Sequence, residues 1–161
     1  MVRFKNRWLL VEFIPCHDQT SGSGKAAEEL NSKHVWVALK QSIVDNFGDV
    51  GWGSVSTSLN VKYFSPTTNL CIIRVARDHH RVAWGATTLL TSINGREHIP
   101  HIIHLAGTIK QAQLAAIKYN REIIARYRSH AADRGKSLTK PGETFDDYLE
   151  RSEKEIGTMQ D

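Results

Sequence analysis

The stretch SVSTSLNVKYFSPTTNLCIIRVAR, residues 54–77, decides the predicted fold. Over residues 54–64, apolar and polar side chains alternate, which is typical of a strand with one packed face and one solvent face. The segment SPTTN, residues 65–69, contains the residue types that favour tight turns. The apolar run LCIIRVAR, residues 70–77, predicts a second strand that pairs back on the first. A β-hairpin is therefore expected near the middle of the chain.

Apolar residues at helical spacing flank this hairpin on both sides. Upstream, Trp36, Leu39, Ile43 and Phe47 predict a helix over about 32–47, which three glycines at 48, 51 and 53 should end. Downstream, a helix is expected over about 78–91, followed by the breaker Asn94-Gly95. Further strands are predicted over residues 3–14 and 101–106, and a last helix over about 109–130.

The resulting order is βαββαβ with an added C-terminal helix. Four strands and two crossover helices in this order predict an α/β (α+β) sandwich of the ferredoxin-like type, shared with RNA-recognition motifs. Residues 1–131 are expected to form this domain. Residues 132–161 have few apolar anchors and predict a polar, acidic and flexible tail, with a weak helix near 145–149.

Composition fits a globular protein with an uneven charge distribution. The chain has 161 residues, of which 40% are hydrophobic and 24% are charged, so disorder throughout and collagen-like sequence are excluded. Residues 141–161 hold seven acidic and two basic residues, a net charge of −5. The preceding 140 residues hold 19 basic and 10 acidic residues, a net charge of +9. A basic body with an acidic tail suits a polyanionic partner.

The N-terminus and the cysteines bear on location. The apolar run Trp8–Ile14 is interrupted by Glu12 and followed by Pro15, which is too short and too charged for a signal peptide or a membrane span. Cys16 and Cys71 form neither a metal-binding spacing nor a disulfide framework. We therefore expect a chain without membrane attachment, in the cytosol or the nucleus, with both thiols reduced.

Catalysis and metal binding find little support in the sequence. His98, His101 and His104 are spaced by three, and this spacing on a strand sends successive rings to opposite faces. The core region holds few acidic residues, and these lie on separate predicted elements, whereas a divalent-metal nuclease needs its carboxylates clustered; they are Glu12, Asp45, Asp49, Asp78 and Glu97. We predict no catalytic residue and no metal site within the protein.

Basic residues occur where they could contact phosphates. Arg3, Lys5 and Arg7 alternate along the first strand, and Lys110 lies in the first turn of the last helix, after Gly107-Thr108. A helix N-terminus offers free amides and the positive end of the helix dipole. The third predicted strand lacks the aromatics that stack bases in RNA-recognition motifs, so we expect contact with the backbone of a folded RNA instead.

Several blocks together resemble one protein family. They are MVRFKNRWLLVEF at 1–13, NLCIIRVARD at 69–78 followed by Trp84, HLAGTIKQAQ at 104–113 and AAIKYNREI at 115–123. The chain is similar over about residues 1–128 to the processing-of-precursor-RNA subunit five family, a small protein subunit of ribonuclease P and ribonuclease MRP. The acidic C-terminal segment resembles the eukaryotic members.

The resemblance implies a protein that is not itself the catalyst. In such particles the catalytic RNA holds the Mg²⁺ ions, so no cofactor is expected on the protein. Ribonuclease P removes the 5′ leader of precursor tRNA, and ribonuclease MRP cleaves precursors of ribosomal RNA. The expected partners are the catalytic RNA, a TIM-barrel-like protein subunit and the other subunits of the particle. The expected location is the nucleus, often the nucleolus.

The candidate sites combine the basic positions with these blocks. Candidate RNA-binding residues are Arg3, Lys5, Asn6, Arg7, Arg74, Arg77, Arg81, Thr108 and Lys110. Trp84 is the candidate contact for the protein partner, and a core position is its other interpretation. Two alternatives stay open: a ferredoxin-like regulatory module that binds a ligand without RNA, and a hydrolase assembled from distant His and acidic residues.

Overall fold

Strand β1, Asn6–Pro15, lies at the centre of the sheet and pairs antiparallel with a strand on each side. Its run Trp8–Val11 is buried because both faces of the sheet are covered. The structure is a computed structural model that describes residues 5–16, 30–134 and 144–160. The remaining elements follow in chain order: α1, Ser32–Val55; β2, Asn60–Ser65; β3, Leu70–Ala76; a 3-10 turn, Arg77–His79; α2, His80–Leu89; β4, Ser92–Ile93; β5, Arg96–Ala106; α3, Ile109–Arg134; and α4, Phe145–Thr158.

The five strands form one antiparallel sheet in the order β2-β3-β1-β5-β4. Helix α1 connects β1 to β2 across β3, and α2 connects β3 to the β4–β5 hairpin across β1. The predicted mixed α/β sandwich and its βαββαβ series are therefore confirmed. The central hairpin is present as β2 and β3.

Each face of the sheet carries its own apolar core. On one face, Leu9, Val11 and Phe13 of β1 pack in one cluster with Leu39 of α1 and Ala86 of α2. On the other face, alternate residues of the same strand belong to a second cluster with α3 and α4. That second cluster contains Trp8, Leu10, Tyr63, Leu70, Ile72, Ala106, Ala112, Ala116 and Ile156.

The start of β2 differs from the prediction. The expected strand over 54–64 begins only at Asn60, because the chain stays helical as far as Val55. The hydroxyls of Ser54 and Ser58 donate to the carbonyls of Gly51 at 2.7 Å and Val55 at 3.2 Å. Such local bonds from side chain to backbone compete with a strand ladder, so these serines help to end a helix and do not form the solvent face of a strand.

Gly48 and the Asn94-Gly95 pair have structural roles other than the predicted ends of the two helices. Gly48, with φ +65°, kinks α1, and the helix then resumes as far as Val55 instead of ending. Asn94 and Gly95, with φ 50° and 73°, make the turn between β4 and β5, whereas α2 has already ended at Leu89. This hairpin adds a fifth strand and extends the predicted strand 101–106 to Arg96–Ala106.

Gly51 and Gly53 provide a matched pair for testing the resumed helix. A Cβ on Gly51 would overlap the Cβ of Phe47, whereas a Cβ on Gly53 has no neighbour within 4 Å. We expect Gly51→Ala to lower the free energy of unfolding by about 1–3 kcal/mol through overpacking. Gly53→Ala should leave it equal or raise it by up to about 1 kcal/mol, since alanine favours a helix. Urea denaturation of both variants measures this difference, and equal effects would contradict the packing.

The structure has an ordered helix within residues 144–160, where the sequence predicted a flexible tail. There, α4 begins with a capping box between Thr144 and Asp147 and buries Tyr148, Ser152 and Ile156, which recur every four residues. The Tyr148 hydroxyl oxygen lies 2.6 Å from that of Ser65. This part of the segment is ordered because a few buried anchors and long-range hydrogen bonds hold it, although its composition is polar. The division of the chain at residue 131 stays a prediction.

A candidate RNA-contact surface at one end of the sandwich

Most of the predicted RNA-binding residues meet at one end of the sheet. The register pairs Asn6 with Ala76 and Trp8 with Ala106, and the amide of Arg77 donates to the carbonyl of Lys5 at 2.8 Å. The start of β1 therefore lies between the ends of β3 and β5. Because β3 and β5 both run antiparallel to β1, the helices that follow them, α2 and α3, also begin at this end. We call this surface the basic end; its residues are Lys5, Asn6, Arg7, Arg74, Arg77, Arg81, Thr108 and Lys110.

Arg7 lies beside the entry to α3. Its Nη1 donates to the carbonyl of Asn6 at 3.2 Å. A Cβ built on Gly107 would lie 3.7 Å from the same Nη1, so the guanidinium approaches the backbone of Gly107 closely. Arg7 is half-buried and Lys5 is exposed. Arg7 therefore stands next to the N-terminal turn of α3, while the backbone of Lys5 lies beside Arg77, in the turn that leads into α2.

Thr108 has a structural role at the start of α3. Its hydroxyl accepts a hydrogen bond from the amide of Gln111 at 3.3 Å, and its carbonyl accepts one from Ala112 at 3.2 Å. These are the bonds of an N-cap residue. Lys110 is exposed in the first turn that follows. The arrangement can bind a phosphate, since a cation and the positive end of a helix dipole lie together.

The other cationic positions differ in accessibility. Arg77 forms an ion pair with Asp78, with 3.1 Å between Nε and Oδ1, and Arg81 is exposed on α2. Arg74 is half-buried opposite Trp8 in the register, on the side of the sheet that α3 covers. Arg3 lies outside the described residues. The structure therefore brings eight of the nine predicted residues together at the basic end. Among them, Arg74 is less exposed than a phosphate-contacting residue was expected to be.

Asn60 is a polar residue next to the basic end that is not among the residues predicted from the sequence. It is exposed at the start of β2 and pairs with Arg74 in the register of β2 and β3. The alternation over residues 54–64 assigned it to a generic solvent face. Only the pairing of β2 with β3 places it beside the cations, so no local signal could have identified it.

Within the described residues, helices cover both faces of the sheet, so neither face is open to stacked bases. RNA-recognition motifs bind bases on an exposed sheet face through aromatic side chains. Here α3 and α4 cover that face, and Trp8 and Tyr63, the aromatic members of its core cluster, are buried at 1% and 8% exposure. The expectation of backbone contact, drawn from the missing aromatics in β3, agrees with this covered face.

Trp84 lies on the outer side of α2. Its side chain is 41% exposed, while the neighbouring Ala83 and Ala86 face the core. The interpretation of Trp84 as a core residue is therefore wrong, and a contact with a protein partner stays a prediction. Phe47 of α1 is also partly exposed, and its ring packs on Gly85, where a Cβ would lie 2.8 Å from Cζ.

Glu12, Tyr119 and His101 form a small polar cluster away from the basic end. Glu12 accepts a hydrogen bond from the Tyr119 hydroxyl at 2.8 Å and lies 3.7 Å from Nδ1 of His101. Burial and this bond to Glu12 raise the pKa of Tyr119 to about 12. Among the described residues, no group of three or more His, Cys, Asp or Glu side chains could hold a metal ion.

A groove of about 510 Å³ lies between α1 and the connection from α2 to β4. Val37 and Leu89 line it together with uncharged polar side chains and Asp45. It is the kind of cavity that a ligand-binding regulatory module would need.

No helix in the described parts of the chain is long and apolar enough to cross a membrane.

Comparisons with known proteins agree with the resemblance seen in the sequence. The model of the Rpp14/Pop5 family matches residues 7–117. The chain is 40% identical over 132 residues to the Ribonuclease P/MRP protein subunit POP5 of Schizosaccharomyces pombe, covering 77% of this chain and 91% of that protein. It is 38% identical to the probable POP5 subunit of Arabidopsis thaliana, covering 76% and 81%. It is 24% identical to the human POP5 subunit, covering 84% and 82%.

Among solved structures, the chain resembles one chain of the cryo-EM structure of yeast ribonuclease MRP. The TM-score is 0.49 at 10% sequence identity, and the match covers 68% of this chain and 79% of that one.

Proposed function

Because the chain belongs to the Rpp14/Pop5 family, we propose that it is a protein subunit of the ribonuclease P and ribonuclease MRP particles. The matched part, residues 7–117, includes most of the sheet and the start of α3, and therefore most of the basic end. Family membership is the observation that carries this proposal. The subunit is non-catalytic in our proposal: the particle RNA holds Mg²⁺ and cleaves precursor tRNA or precursor ribosomal RNA.

The basic end supports a physical role for the subunit. Folding an RNA core brings phosphates close together, and their mutual repulsion opposes the compact form. Lys5, Arg7 and Lys110 would neutralise such phosphates, while the start of α3 adds backbone amides that bind the same oxygens. The protein would thereby favour the RNA conformation in which catalytic Mg²⁺ is held. Arg3, Asn6, Arg74, Arg77, Arg81 and Thr108 remain proposed members of this contact surface.

The protein partner and the location are also part of the proposal. Exposed Trp84 on α2 is a suitable anchor for a protein interface, because buried tryptophans contribute much of the binding energy of such interfaces. We assign it to the TIM-barrel-like subunit of the particle. The strand order β2-β3-β1-β5 supports a ferredoxin-like scaffold, and the particle would act in the nucleus and the nucleolus.

The test is recovery of the full-length chain from cells that express it with an affinity tag. We expect the RNAs of ribonuclease P and ribonuclease MRP to co-purify, and the eluate to remove the 5′ leader of a precursor tRNA. Digestion of the RNA in the eluate should abolish this cleavage, and the recombinant chain alone should cleave nothing. A chain recovered without either RNA, or cleavage that survives RNA digestion, would contradict the proposal and favour a ligand-binding module or a hydrolase.

A further inference from the structure

Helices α3 and α4 run antiparallel and meet through matched charges. Arg128 pairs with Asp146, and Arg121 pairs with Glu153, whose Oε1 lies 2.6 Å from Nε of Arg121. In both helices the two partners are seven residues apart, which is two helical turns and about 10 Å. The hydrogen bond from Arg121 lowers the pKa of Glu153. Two carboxylates of α4 are therefore held against two guanidiniums of α3.

These two arginines continue the basic end along α3. At 100° per residue, Lys110, Arg121 and Arg128 lie within about 20° of one another around the helix, and exposed Lys118 lies on the flank of that line. Arg121 is about 16 Å from Lys110 along the axis, and Arg128 about 27 Å. An RNA backbone that is bound at the start of α3 and follows this line would therefore reach Arg121 next. α4 carries five acidic and two basic residues, and two of those acids cover this part of the line.

The ion pairs are not what anchors α4. Their side chains stay solvent-exposed, at 61% for Arg121 and 45% for Arg128, so each pair contributes little to stability. The anchors are Ile156 in the core and the amide of Gln113, which donates to the carbonyls of Ile156 at 2.8 Å and Met159 at 3.1 Å. The guanidiniums can therefore exchange their carboxylate partners for other anions while α4 remains in place.

We propose that Arg121 and Arg128 form a second phosphate-binding site for RNA, and that Asp146 and Glu153 of α4 occupy it in the free chain. The ligand is a pair of backbone phosphates from an RNA already bound at the basic end. The inference rests on the proposed function, since it extends the RNA-contact surface along α3. The acidic helix thereby limits how far RNA binds along the protein.

The test uses the full-length chain and a short RNA duplex as the probe. Glu153→Gln removes the carboxylate on Arg121, and the matched control Glu150→Gln removes an exposed carboxylate three residues away on the same helix. We expect Glu153→Gln to raise the affinity about two- to fivefold beyond the control. It should also steepen the dependence of log affinity on log salt by about 0.7–0.9, which corresponds to one new phosphate contact.

Arg121→Gln completes a double-mutant cycle. If the Glu153 carboxylate blocks the Arg121 guanidinium, Arg121→Gln should change RNA affinity little in the wild-type chain. In the Glu153→Gln chain, Arg121→Gln should abolish the increase in RNA affinity. Additive effects, or equal behaviour of Glu153→Gln and Glu150→Gln, would overturn the inference. Far-UV circular dichroism and thermal melting of each variant verify that α4 stays folded. Failure of the proposed function itself would look different, because then no variant, nor the wild type, would show salt-dependent RNA affinity.

Discussion

Replacing Lys5 and Arg7 together with alanine is expected to weaken RNA binding by about 10- to 50-fold at about 0.1 M salt. Both residues lie at the start of β1, Arg7 beside the N-terminal turn of α3 and Lys5 beside Arg77, where phosphates would be neutralised. Loss of two phosphate contacts should reduce the slope of log affinity against log salt by about 1.4–1.8. Fluorescence anisotropy with a structured RNA, measured between about 50 and 200 mM salt, gives both quantities.

A charge-matched control separates contact from net charge. Lys33 and Lys154 are exposed on α1 and α4, so the Lys33→Ala, Lys154→Ala variant loses the same two charges outside the basic end. Its salt slope should stay close to that of the wild type. Arg7→Lys, which keeps the charge, should keep most of the slope. If the two double variants behave alike, the assignment of Lys5 and Arg7 is wrong and only the overall potential attracts RNA.

The second large effect concerns α4. Ile156 has no exposed surface and packs with Leu70, Ile72 and Ala116 on the face of the sheet that α3 and α4 cover. We expect Ile156→Ala to lower the free energy of unfolding by about 2–5 kcal/mol, through lost burial and the cavity that the missing side chain leaves. Urea denaturation followed by tryptophan fluorescence and by circular dichroism measures the loss.

Leu114 provides the matched control on α3. It is 60% exposed, so Leu114→Ala should change the free energy of unfolding by no more than about 0.5 kcal/mol. A segment that behaved as a flexible tail would make both substitutions equally mild. Equal midpoints for Ile156→Ala and Leu114→Ala would therefore contradict the packing of α4.

The sequence predicted the architecture because its local patterns agree with the tertiary structure. The turn SPTTN separates β2 from β3, and buried Leu39 and Ile43 lie on the predicted stripe of α1. The structure differs from the prediction where one sequence pattern permits two structures. Residues 54–59 alternate as a strand would, yet their hydroxyls bond to nearby carbonyls and end a helix. Asn94-Gly95 predicts a turn whether it ends a helix or joins two strands. Only the pairing of β4 with β5 shows that it joins two strands of a hairpin.

The C-terminal segment differs from its prediction for a related reason. Its pattern of Thr144, Asp147, Tyr148 and Ile156 contains a capping box and a sparse apolar stripe, which composition alone obscured. The bonds that hold it, from Tyr148 to Ser65 and from Gln113 to the backbone at Ile156, join residues far apart in the chain. No local pattern records such pairs.

By itself, the sequence determined the main strands and helices from β1 to α3, their order and the basic residues available for RNA, because periodicity and side-chain charge are local properties. The tertiary structure alone decided that the start of β1 lies beside the starts of α2 and α3, and that α4 places its carboxylates on Arg121 and Arg128. The reason is physical: strand order and helix packing bring together charges that are remote along the chain, and electrostatic interaction depends on distance in space.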